Sequence, residues 1–132
     1  MKKILTLLLC TVMLCACSDD DDNNSPGNSN FNGSWNMDSY TAFMDVLPVL
    51  EEGDITWTFT NDGTRLTVNN TVGQEYPYIL QSGTYSTIVT DTIISITAET
   101  QQKYDFSFTD GGLILTDINE TGDGPVMKFS RN

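Results

Sequence analysis

From residue 33 to residue 131, apolar and polar side chains alternate in short runs, and nearly every run stops at a cluster of Gly, Asn, Asp or Thr. A period of two puts successive side chains on opposite faces of an extended strand, whereas an amphipathic helix repeats its apolar residues three and four apart. In 33–41, Trp35, Met37 and Ser39 share one face, with Ser34, Asn36 and Asp38 opposite. Ile55, Trp57 and Phe59 alternate with Thr56, Thr58 and Thr60. Leu66 and Val68 continue the pattern after Asn61-Asp62-Gly63-Thr64, where the Asp-Gly pair supplies the positive φ of a tight hairpin. The run 83–89 carries Tyr85 and turns at Thr90-Asp91 into 93–98. In 103–109, Tyr104, Phe106 and Phe108 oppose Asp105, Ser107 and Thr109. Asp110-Gly111-Gly112 and Thr121-Gly122-Asp123-Gly124 lead into the last two runs, 113–118 and 126–131.

This pattern predicts an all-β domain of about eight strands. Short turns make consecutive strands antiparallel neighbours, so the expected architecture is an up-and-down meander, closed or nearly closed into a barrel that removes its exposed edges. One stretch breaks the alternation: 42–52, AFMDVLPVLEE, is interrupted by Pro48 and reads as a short helix or an irregular loop.

The N-terminus obeys a different logic. Lys2 and Lys3 precede an apolar run from Ile4 to Leu14, the n- and h-regions of a secretory signal. The run is too short for a membrane-spanning helix, which takes ~20 apolar residues. Leu14-Cys15-Ala16-Cys17 then resembles a bacterial lipobox. The resemblance implies cleavage before Cys17, lipidation of that cysteine, and a stable two- or three-chain membrane anchor. The alternative is an ordinary signal peptide that leaves a free thiol nearby. Ser18-Asp19-Asp20-Asp21-Asp22 resembles the acidic export signal of Bacteroidetes surface lipoproteins, which implies an outer-membrane protein facing the medium. A plain acidic linker and residence on the periplasmic face are the alternatives. Residues 1–16 are therefore expected to be a signal peptide, 17–30 an acidic tether and 31–132 the barrel domain.

Charge and composition exclude several classes of function. Lys2 and Lys3 leave with the signal, so four of the six basic residues face all eighteen acidic ones, a formal charge of −14. Nucleic acid is not expected as a partner, because it needs a basic surface. The membrane is reached through the lipid anchor. The chain has no histidine, and of its three cysteines Cys10 and Cys15 belong to the signal while Cys17 carries lipid. Histidine- or cysteine-dependent catalysis then has no residues to run on, and neither metal nor cofactor is expected. Glu51, Glu52 and Asp54 could do carboxylate chemistry but lie together in an acidic chain where neighbours are common. The stretch 117–128 opens like a calcium loop yet places Lys128 where a bidentate Glu is required. Ser82 and Thr84 have no base beside them in sequence.

Gly33-Ser34-Trp35 resembles the Gly-x-Trp motif of lipocalins. The ordered set WTFTNDGT, SGTY and MKFSR is similar to small lipocalin-like domains of Bacteroidetes lipoproteins, over the whole of 31–132. The resemblance implies that Trp35 plugs the closed end of the barrel, that Arg131 stacks over it, and that Gly33 lets the backbone approach. A surface binding module of this kind would hold a small apolar or glycan ligand, for which the candidate contacts are Trp57, Phe59, Tyr85 and Tyr104, at inward-compatible strand positions, and Tyr76 and Tyr78, which flank Pro77 in a loop. The same rings could instead fill the barrel, since an eight-stranded barrel is just wide enough for its own side chains or one small ligand. A solid barrel would suit an accessory subunit that contacts a protein partner through its loops.

Overall fold

The alternating runs become eight strands, and the eight close on themselves. In the computed structural model, which describes residues 27–42, 49–73, 79–119 and 124–132, the strands are β1 (Gly33–Thr41), β2 (Ile55–Thr60), β3 (Arg65–Asn70) and β4 (Gly83–Val89), then β5 (Ile93–Thr97), β6 (Gln101–Thr109), β7 (Gly112–Asp117) and β8 (Val126–Arg131). Each pairs antiparallel with the next, and β8 returns to pair with β1, giving a closed up-and-down barrel as the sequence predicts. The segment 43–48, within the stretch read as helix or loop, lies outside the described residues.

Inward positions follow the two-residue period. Ile55, Trp57 and Phe59 of β2, Leu66 and Val68 of β3, Ile94 and Ile96 of β5, and Leu113 and Leu115 of β7 are all buried. Burying one such side chain stabilises the fold by ~1.5–3 kcal/mol, which is why the register is strongly specified: a slip of one residue would turn every apolar side chain outward.

That slip happens once, and it corrects the sequence expectation for β1. Met37 faces Phe129, but the next paired residue, Ser39, faces Lys128, so Asp38 is an extra residue in the ladder. Asp38 points to solvent and its carboxylate accepts the Ser130 hydroxyl at 2.7 Å. Beyond the bulge the parity reverses. Tyr40, not Ser39, faces inward and is buried. The bulge exchanges a serine for a phenol ring in the core, which is the physical gain that holds it.

The connections divide sharply between the two ends. At one end the turns after β2, β4 and β6 have four, three and two residues. In the first of these, Asn61, Asp62 and Gly63 all adopt positive φ. Asn and Asp tolerate that region best among residues with a side chain, and Gly63 is held to glycine doubly, because a Cβ there would come within 3.1 Å of Phe31. At the other end the connections after β1, β3, β5 and β7 have thirteen, twelve, three and eight residues. Both chain ends of the described body, Gly27 and Asn132, sit at the short-turn end.

Candidate functional site: a sealed floor and an open mouth

The short-turn end is sealed by residues that precede the first strand. A 3₁₀ turn, Ser29–Phe31, drops the Phe31 ring into the barrel, where it is 0 % exposed. The ring lies 5.1 Å from Phe59, 4.8 Å from Phe106 and 5.0 Å from Phe108, centroid to centroid. Edge and tilted contacts of this kind contribute ~0.5–1.5 kcal/mol beyond the area they bury. The Trp35 indole N–H donates to the Phe31 carbonyl at 2.8 Å. Residues 28–30, which the sequence assigns to the tether, are bound in too: the Asn28 amide donates to the Asp62 carbonyl at 2.7 Å.

Arg131 ties this plug down. It pairs with Trp35 across the closing seam, and its guanidinium carbon lies 4.3 Å from the Trp35 ring centroid. The two terminal nitrogens donate to the carbonyls of Asn32 and Asn30, each at 2.9 Å. Gly33, with φ of 119°, passes directly beneath: a Cβ at that position would stand 2.9 Å from Nη1. Gly33, Trp35 and Arg131 are thus together at one end, arranged as the resemblance implies. Phe31 is the member that sequence reading missed. Its signal was present: it is a lone ring between Asn30 and Asn32, at the end of a stretch of Ser, Asp, Asn, Pro and Gly.

Two of the candidate ligand contacts lie inside the sealed barrel. Trp57 and Phe59 are 0 % and 1 % exposed. Trp57 packs against Phe129 at 5.0 Å, and its indole N–H has no hydrogen-bond partner among the described residues. Rings therefore occupy the barrel from its floor to its middle.

The open end is built differently. The segment 79–82 folds back over the barrel rim. Ile79 and Leu80 are buried there, the Asn70 side-chain amide donates to the Leu80 carbonyl at 3.2 Å, and the Ser82 hydroxyl accepts the Asn70 amide and donates to the Asn70 carbonyl. Tyr85 is half-buried beneath this flap and donates its hydroxyl to the Gln81 carbonyl at 2.7 Å. Between the flap and the β5–β6 turn lies a cavity of about 260 Å³. Ile79, Leu80 and Ala98 give it apolar surface, and Gln81, Tyr85, Glu99 and Gln102 give it polar groups.

Tyr104 lies one inward position deeper than Gln102. It is 2 % exposed and donates to Gln102 Oε1 at 2.6 Å. Burial, then the charge of Asp117 directly across the ladder, then Tyr40, hold its phenol above the usual tyrosine range, so it stays a neutral donor that fixes the Gln102 amide. Of the six candidate contacts, then, Tyr85 faces the mouth cavity, Tyr104 supports its floor, and Trp57 and Phe59 belong to the core. Tyr76 and Tyr78 lie outside the described residues, as do Cys17 and Ser18 to Asp22.

The acidic motifs serve the turns. Asp54 Oδ2 accepts the Glu51 amide at 2.8 Å, and Asp117 Oδ1 accepts the Asn119 amide at 2.7 Å. Among the described residues, no group of three or more acidic side chains stands ready to hold a metal ion. Comparison with known proteins finds no matching family model and no curated protein of similar sequence.

Proposed function

We propose that this chain is a surface-exposed lipoprotein, anchored through Cys17 and exported by the acidic run Ser18 to Asp22, whose lipocalin-like barrel binds a small apolar or glycan ligand at its open end. The observation that supports this reading is the mouth cavity of about 260 Å³, which joins an apolar wall, Ile79, Leu80 and Ala98, to convergent polar groups, Gln81, Glu99 and Gln102, beside the Tyr85 ring. Ligand sites characteristically combine apolar lining with a few placed polar groups. The volume falls just below the usual range of ~300–1,000 Å³ for drug-sized ligands, so the ligand is about the size of one sugar ring, or one end of a longer molecule. With Trp57 and Phe59 sealed in the core, it sits at the mouth rather than inside the barrel.

The ring-filled interior favours a second reading, an accessory subunit with a solid barrel that contacts a protein partner. Native mass spectrometry of protein purified from its host separates the two. Ligand binding predicts a retained small mass that Gln102→Ala and Tyr85→Ala each diminish. A retained protein partner, with no small mass, would replace the first reading by the second. Cys17→Ser is expected to release the protein from membranes, and a variant that still partitions with them would overturn the anchor.

A further inference from the structure

We infer that the barrel stands with its sealed end toward the membrane and its mouth toward the medium, so that the mouth cavity takes its ligand from aqueous solution and not from the bilayer. The inference rests on the lipid-anchor reading of Cys17 but goes beyond it, because an anchor alone fixes no orientation.

Three observations carry it. The first is where the chain enters. Coming from Cys17, the chain meets the barrel at Gly27 and Asn28, on the short-turn end, and is fastened there by the bond from the Asn28 amide to Asp62 and by the two Arg131 bonds to Asn30 and Asn32. The attachment point is thus a fixed place on the sealed floor, at the opposite end of the barrel from the cavity.

The second is reach. Cys17 and Gly27 are ten Cα–Cα steps apart and so at most ~35 Å from one another. The nine residues of β1, at ~3.3 Å each and a tilt of ~40°, make the barrel ~23 Å tall before the long connections are added. With the mouth turned to the membrane, Cys17 and Gly27 would have to stand at least ~23 Å apart, about two-thirds or more of that maximum. With the floor turned to the membrane any separation up to the maximum is allowed, and the weaker restriction on the two ends favours that state.

The third is charge. Among the described residues of the four connections at the mouth, Glu51, Glu52, Asp54 and Glu99 carry negative charge and no lysine or arginine is present, while Lys103 and Asp117, at the mouth ends of β6 and β7, offset one another. Arg65 and Arg131 lie at the sealed end, interspersed with Asp62, Asp91 and Asp110. An anionic membrane surface therefore repels the mouth more than the floor.

The two ends of β5 give a direct test. Asp91, in the turn before it, marks the floor, and Thr100, in the turn after it, marks the mouth; both are exposed. Single-cysteine variants Asp91→Cys and Thr100→Cys of the lipidated protein are labelled with a fluorophore and placed on vesicles of phosphatidylethanolamine and phosphatidylglycerol that carry a headgroup energy-transfer quencher whose range exceeds the ~35 Å reach of the tether. The expected result is several-fold stronger quenching at position 91 than at position 100. Equal or reversed quenching on vesicle-bound protein would overturn the orientation and leave the anchor standing. Protein that remains in solution, with neither label quenched, would overturn both. Quenching that persists at both positions in a Cys17→Ser background would assign the membrane contact to the barrel surface and overturn the tether argument.

Discussion

Arg131 is the residue whose removal should cost far more than its exposed position suggests. It makes one stacking contact with Trp35 and two charge-assisted bonds to the plug carbonyls. A guanidinium over an indole is worth ~0.5–2 kcal/mol, and each partly exposed bond adds a net ~0.5–1.5 kcal/mol. Arg131→Ala should therefore lower stability by ~2–3 kcal/mol. In a domain of this size that is a fall in Tm of roughly 10–20 °C, read by thermal unfolding with near-ultraviolet circular dichroism of the tryptophans. Arg131→Lys keeps a cation over Trp35 but cannot bridge both carbonyls, so it should fall between the two. Gly33→Ala should approach the same loss by a different route, since its Cβ meets Nη1 at 2.9 Å and its φ of 119° is strained for alanine. The clash is absent once the arginine is gone, so the double variant should be less damaged than the sum of the singles by about 1 kcal/mol, as expected of residues in contact. A loss for Arg131→Ala within ~0.5 kcal/mol, the range of ordinary surface substitutions, or strict additivity with Gly33→Ala, would refute the argument that this side chain clamps the plug.

The two tryptophans should respond differently to the same change. Trp35→Phe leaves the buried Phe31 carbonyl without its donor and puts a smaller, weaker π face under Arg131, for a loss of ~2–4 kcal/mol, whereas Trp57→Phe removes a buried N–H that has no partner among the described residues, which offsets part of its cavity cost and should hold the loss below ~2 kcal/mol in urea unfolding. Tyr104 should govern stability in alkali. Its phenol is raised above the ordinary value of 10.0 in the fold, so its contribution is present below that pH and is lost as pH rises above it, because only the unfolded state releases the proton readily. Unfolding measured from pH 9 to 11.5 should show a slope that Tyr104→Phe reduces.

The closed barrel was legible because each strand states its own parity. Trp57 and Phe59, or Leu113 and Leu115, need no knowledge of their neighbours to be placed inward. The Arg131–Trp35 pair was legible from the resemblance and from chain ends alone, since closure brings the start of the first strand beside the end of the last. The bulge at Asp38 was not, because period-two reading assumes that the count never slips. The clue lay in residue size: past Met37 the alternation offers Ser39 to the core while Tyr40, the larger apolar surface, waits one position on. A parity that buries the smaller of two adjacent side chains is physically suspect, and a bulge is the least disruptive way for the chain to correct it. The mouth could not be read in this way. Gln81 and Tyr85 belong to one connection and its strand, Glu99 and Gln102 to another, and they meet only because the flap at 79–82 is pulled back by Asn70 and Ser82. No spacing in the sequence encodes that meeting. It depends on Asn70, at the end of β3, bonding Leu80 and Ser82 of the flap, and the cavity should collapse or open with those bonds while the barrel beneath, held by its own alternation, stays folded.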